Sequence, residues 1–177
     1  MSDHPEHRIA GMSDVNINRP TWDLASWGAA LGRRTMRLGP SAGASELGVT
    51  LYEVDPGRAV SPFHVHHANE ELLLVLSGHP ALRTPAGIRH LERGDLVAFP
   101  RGPAGAHRIS NPSEDVVRVL VFSTMHWPEI AEYPDTGAIL TMTGPGEGQA
   151  FPADTAEPRA EAVTRAMDAA REHEEGT

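Results

Sequence analysis

The sequence predicts an all-β sandwich or barrel. Short apolar runs recur at roughly 8–12-residue spacing through the middle of the chain. Gly, Pro, Asn and Asp cluster between the runs, where tight turns need them. No helical periodicity falls between the runs. The length, 177 residues, suits one domain able to bury a real core.

Residues 1–32 read as an N-terminal arm, polar at first and then carrying Trp22 and Trp27 in a short apolar patch. The arm is too small to bury a core alone. The barrel is expected over 33–143. Leu47 to Val54 reads as a strand closed by Asp55-Pro56-Gly57. Glu71 to Leu76 is nearly all aliphatic, the pattern of a strand buried on both faces, and it stops at Ser77-Gly78. Ala81–Arg83 and Ile88–Leu91 flank the hairpin turn Thr84-Pro85-Ala86-Gly87. Glu92-Arg93-Gly94-Asp95 turns into Leu96–Phe99, and Asn111-Pro112-Ser113-Glu114-Asp115 leads into the apolar run Val116–Phe122. Residues 144–177 read as a loop, Gly144 to Gly148, followed by a short C-terminal helix. Pro158 suits its start, and Val163, Met167 and Ala170 fall at helical spacing.

Composition removes several function classes. There is no cysteine, which excludes disulfides, Cys-ligated metals and thiol nucleophiles. All 15 basic residues are arginine, so Schiff-base chemistry and a P-loop lysine are excluded as well. The net charge of −9 argues against a nucleic-acid partner. No apolar run approaches the roughly 20 residues that span a bilayer, and the N-terminus shows no secretory pattern, so a cytoplasmic protein is expected.

What remains for chemistry is ten histidines and 24 carboxylates. The chemistry concentrates in Phe63-His64-Val65-His66-His67-Ala68-Asn69-Glu70-Glu71. In an extended chain His64 and His66 share a face, and a short turn then puts Glu71 at the mouth of an apolar strand. A carboxylate there needs a partner, and a divalent cation shared with two imidazoles supplies one. A solvated surface turn is the other reading of the pair taken alone. His107, in Gly105-Ala106-His107-Arg108-Ile109-Ser110-Asn111, weakens that second reading.

These residues resemble the two motifs of the cupin superfamily, and more specifically small bacterial single-domain cupins, with Glu132 to Gly137 adding a weaker likeness. Gly57, His64, His66, Glu71 and Gly78 fit the first motif, G(X)5HxH(X)3–4E(X)6G. Gly94, Pro100, Gly102, His107 and Asn111 fit the second, G(X)5PxG(X)2H(X)3N. Two spacings depart from the motifs. Six residues separate Gly57 from His64, and four separate Gly102 from His107. The resemblance implies a double-stranded β-helix, the jelly-roll cupin barrel. It also implies one divalent metal ion (Zn, Fe, Mn, Ni or Co) held by His64, His66, Glu71 and His107. Glu71 is preferred to Glu70 because it leaves six residues before Gly78 and because Glu70 points to the opposite face.

His67 is expected to be solvated or to support a ligand from behind. His4, His7 and His173 are read as spectators, His79 and His90 as turn residues, and His126, Phe63 and Phe99 as packing groups. The expected function is that of a metal-dependent enzyme on a small organic molecule, of oxygenase or isomerase/cyclase type. The alternative is a non-catalytic small-ligand, metal-binding or sensor module. Polar side chains converging on the metal would favour the enzyme, and a dry apolar lining the module. The loop around Pro103 and Gly105 is expected to shape the entrance. Trp22 and Trp27 lack an evident partner in so small a barrel, so a homodimer is expected.

Overall fold

The computed structural model describes residues 15–23 and 32–175. His4, His7, Trp27 and the side chain of His173 lie outside the described residues. Among the described residues twelve strands dominate: β1 (Arg33–Arg37), β2 (Leu47–Val54), β3 (Val65–His66), β4 (Glu71–Ser77), β5 (Ala81–Thr84), β6 (Gly87–His90), β7 (Leu96–Phe99), β8 (Arg108–Ser110), β9 (Val117–Thr124), β10 (Glu129–Tyr133), β11 (Ala138–Gly144) and β12 (Glu147–Pro152). Two α-helices accompany them, α1 (Leu38–Ser41) and α2 (Arg159–Glu175).

One wall of the barrel is a five-stranded sheet in the order β1-β2-β9-β4-β7. The other is built from β12-β11-β10-β3 and β6-β5-β8. An antiparallel bridge between His64 and His107 joins these two smaller sheets, through N–H···O bonds of 3.1 and 2.9 Å in both directions. Two of the predicted metal ligands, His64 and His107, therefore stand at a seam of the barrel. This is the expected all-β jelly roll.

Side-chain alternation divides the five-stranded sheet into two cores. Inward from it lie Val54, Leu73, Val75, Val117, Val119 and Val121, packed on Leu82, Leu91 and Ile109 from the opposite wall. Outward lie Leu51, Leu74, Leu76, Leu120 and Phe122, covered by Met36, Leu38, Ile17 and Trp22. β4 is thus covered on both faces, as its aliphatic run predicts. Trp22, expected to lack a partner within the barrel, packs on the chain's own sheet.

Two features of the C-terminal region differ from the sequence reading. The segment read as a loop carries β12, hairpinned on β11 with Gly144 opposite Glu147. Pro145-Gly146 makes the two-residue turn, and Gly146 has φ of +79°, which favours glycine. Helix α2 forms, but its apolar positions are not buried: Val163 and Met167 are 49% and 55% exposed. Among the described residues no helix is long and apolar enough to cross a membrane.

Candidate metal centre

His64 and His66 flank Val65, and alternation sends Val65 to the other side, where it is buried with Phe63 and Ala106. The two imidazoles therefore share the inner face. Glu71 opens β4 opposite Phe99 and Ser123, on the same interior. One ligand atom from each of His64, His66 and Glu71 lies within 4.8 Å of the others, a grouping able to hold a metal ion. His107 joins them: its Nε2 is 3.3 Å from Glu71 Oε2, and His66 Nε2 is 3.6 Å from the same oxygen. The ring centroids of His64 and His107 are 4.4 Å apart. Phe99 stacks on the His107 ring at 3.7 Å, fixing its plane.

The outer nitrogens follow a common pattern. His64 Nδ1 faces the Pro62 carbonyl at 3.0 Å, and His107 Nδ1 faces the Gly105 carbonyl at 3.0 Å. Held this way, each ring keeps its proton on Nδ1 and presents a lone pair on Nε2, the tautomer a metal requires. Both departures from the motif spacing have a role here. The longer first segment supplies the Pro62 carbonyl. The longer second one forms a 3-10 turn, Pro103–Gly105, that supplies the Gly105 carbonyl. A Cβ on Gly105 would sit 1.7 Å from the Pro100 oxygen, so only glycine fits there. This turn was expected to shape the entrance. Instead it buttresses His107, and neither Pro103 nor Gly105 lines the cavity.

That cavity, about 230 Å³, opens from the histidine cluster into the barrel. Val60, Ile109, Val121, Leu140 and Met142 give it apolar walls. Arg33, Tyr52, Ser61 and Tyr133 add polar groups.

Residues 50–123, which hold both histidine motifs, match the family model described as a cupin domain. The barrel has the cupin fold. A protein described as a sugar phosphate isomerase, from Acidithiobacillus ferrooxidans, superposes with a TM-score of 0.69 at 26% identity, covering 77% of this chain and 86% of the other. A sugar phosphate isomerase of the cupin superfamily from Silicibacter pomeroyi gives 0.67 at 27% identity, covering 80% and 92%. The polyketide cyclase RemF from Streptomyces resistomycificus shares the fold, at 24% identity, a TM-score of 0.55 and coverage of 65% and 80%. A search of curated proteins returned no significant match.

The electrostatics of the cupin site suit a cation. Burial pushes His64 down to about 4, aided by the neighbouring His107 and His66 charges, so this imidazole stays neutral. Burial alone would also depress His66, but the Glu129 and Glu71 carboxylates outweigh it and the net direction is up. Burial opposes the Glu71 charge, yet the surrounding histidines, His107 foremost, hold it below the usual carboxylate range. Three imidazoles and a carboxylate are a donor set that first-row divalent metals accept.

Sequence reading missed Glu129. This residue on β10 is 1% exposed. One carboxylate oxygen accepts from the backbone N–H groups of His67 and Ala68 at 3.0 and 2.9 Å. The other accepts from the Asn69 side-chain amide and stands 3.4 Å from His66 Nδ1. That nitrogen is buried and makes no hydrogen bond. Burial would raise the Glu129 pKa, but His66 and these donors overcome it and bring it to about 2. Asn69 ties the same turn to the backbone N–H of His126 at 2.7 Å.

The remaining predicted residues fall outside the cluster. Glu70 is exposed. His67 pairs with Glu132 at 2.8 Å on the surface. His79, His90 and His126 are exposed. Asn111 of the second motif is a staple of the fold: its amide donates to the carbonyls of Val54 and Asp115, at 2.9 and 2.7 Å.

Proposed function

We propose that His64, His66, Glu71 and His107 hold one divalent ion (Zn, Fe, Mn, Ni or Co) and that this cupin is a metal-dependent enzyme acting on a small organic molecule. The observation that carries the reading is convergence. The Nε2 atoms of His66 and His107 face one Glu71 oxygen at 3.6 and 3.3 Å, at the wall of a cavity large enough for a metabolite. A metal held there would supply Lewis-acid chemistry, polarising a bound oxygen. The chain's own residues would do the rest. The aliphatic walls exclude water, and burial holds the Tyr52 hydroxyl still further from ionisation than an ordinary phenol, with Arg33 opposing that and Glu71 adding to it. Of the oxygenase and isomerase/cyclase types, the two similar sugar phosphate isomerases favour an isomerase.

A non-catalytic ligand-binding module is the second reading, and the apolar share of the lining favours it. Elemental analysis of protein purified without a histidine tag tests the centre. One metal per chain is expected, lost on His66→Ala or His107→Ala. Unchanged metal content in either variant would refute the assignment.

We further propose a cytoplasmic homodimer. Trp22 no longer argues for it, and the support moves to β7, a sheet edge on which Leu96 is 60% exposed. Light scattering at micromolar concentration should report twice the chain mass, and a monomer would refute it.

A further inference from the structure

The three imidazoles of the cluster differ in what stands behind them. His64 and His107 each face a backbone carbonyl at 3.0 Å through Nδ1. His66 Nδ1 is buried, makes no hydrogen bond and stands 3.4 Å from Glu129 Oε2. Its other ring nitrogen is 3.6 Å from Glu71 Oε2, so this ring lies between two carboxylates. A slight turn of the ring would bring Nδ1–H into line with the Glu129 oxygen.

Glu129 is held so that one oxygen points at that ring. β10 pairs with β3 with Ala131 opposite His66, and Glu129 lies two residues along on the same face. The backbone N–H groups of His67 and Ala68 donate to Oε1 at 3.0 and 2.9 Å. The Asn69 amide donates to Oε2, which also faces His66. An amide oxygen at this position would satisfy the two backbone donors equally well, and without a charge. The side chain is 1% exposed, and a carboxylate so placed is costly unless it is paired. Among the described residues its ion-pair contact is His66. The charge is therefore spent on the ring, not on the turn.

We propose that Glu129 is the positioning residue for His66. Its Oε2 accepts the Nδ1–H, which fixes the tautomer with the lone pair on Nε2 and sets the plane of the ring. A hydrogen bond to a carboxylate is roughly twice as strong as one to a neutral carbonyl. His66 is thus the most strongly donating of the three imidazoles, while His64 and His107 are held by carbonyls alone. This role rests on the metal-centre reading, since the lone pair serves an ion, and it extends that reading to a residue in neither motif.

The test is titration of the chelator-stripped full chain with Co(II), in the wild type, Glu129→Gln and Asn69→Ala, read by visible absorption. E129Q keeps an oxygen for the backbone donors but brings no charge to His66. N69A loosens the same turn and leaves the carboxylate facing the ring. E129Q should bind Co(II) roughly 10- to 100-fold more weakly than the wild type, and N69A should lose far less. At saturating Co(II) the absorption band of E129Q should be displaced, because the ring donates less charge. Loss of folded protein would lower the band without moving it. Equal losses in the two variants would make Glu129 a tie for the turn and overturn the proposal, as would unchanged affinity or an unmoved band in E129Q. Should E129Q fail to fold, proton NMR of the zinc-loaded wild type decides. The His66 Nδ1 proton should resonate further downfield than those of His64 and His107, as expected for a charged acceptor, and no difference would overturn the proposal. A wild type that takes up no metal overturns the metal-centre reading and this role together, whereas uptake with E129Q matching the wild type overturns this role alone.

Discussion

The interior of the barrel has two unlike halves. In one, Val54, Leu73, Val75, Leu82, Leu91, Val117 and Val119 are each at most 1% exposed and pack into one apolar cluster. In the other, His64, His66, Glu71, His107, Arg33 and Tyr52 surround a cavity. The same strands serve both, since Glu71 and Leu73 are two residues apart on one face of β4. The sealed half supplies cohesion, and this frees the other half to keep polar groups and open space. A site held so firmly from one side is expected to fold without a metal.

That contrast can be broken most severely in the sealed half. Leu82→Ala removes a fully buried side chain from the close-packed core. It should lower stability by about 2–5 kcal/mol, measured by denaturant unfolding of the metal-free protein. His107→Ala, in the open half, should change stability far less while abolishing metal retention. If the two substitutions proved equally destabilising, the division into halves would be wrong.

Glu129→Gln sharpens the comparison with a smaller effect. It keeps the shape of the side chain but removes the charge facing His66 Nδ1. Metal affinity should fall roughly 10- to 100-fold, as when a carboxylate behind a metal-binding histidine is lost. The acid response of the metal-free protein should change as well. In the folded state the Glu129 carboxyl is brought down to about 2, below its ordinary 4.5. Its contribution to stability is therefore complete above about pH 4.5 and is lost as pH falls through about 2. E129Q should lack that segment, giving a flatter stability profile between pH 4.5 and 2. An unaltered profile and unaltered metal affinity would remove Glu129 from the account.

The parts legible in the sequence were those encoded locally. His64, His66 and Glu71 lie within eight consecutive residues, so strand alternation alone aligns the histidines. β2 and β7 were read with their observed bounds because aliphatic runs end at Gly- and Pro-bearing turns. Residues brought in by distant pairing were not legible. Glu129 reaches the His67 backbone across 62 residues of sequence, through the pairing of β10 with β3. Arg33 sits in Arg33-Arg34-Thr35-Met36-Arg37, a polar run that carries no strand signal. It becomes β1 because β2 offers an edge and Met36 fills the outer core. The rarity of tyrosine was the one available hint of the cavity, since both tyrosines line it. The C-terminal helix shows the reverse error: its helical spacing was correct, but spacing does not guarantee a surface to pack against.

The most direct test of the central claim is removal of the metal from the intact protein. Tag-free protein should be dialysed against a chelator and followed by circular dichroism during thermal unfolding, with metal content measured before and after. The account predicts a cooperatively folded metal-free barrel that takes up one metal per chain again when the ion is restored. A metal-free chain that is unfolded at room temperature would make the centre structural and contradict the account.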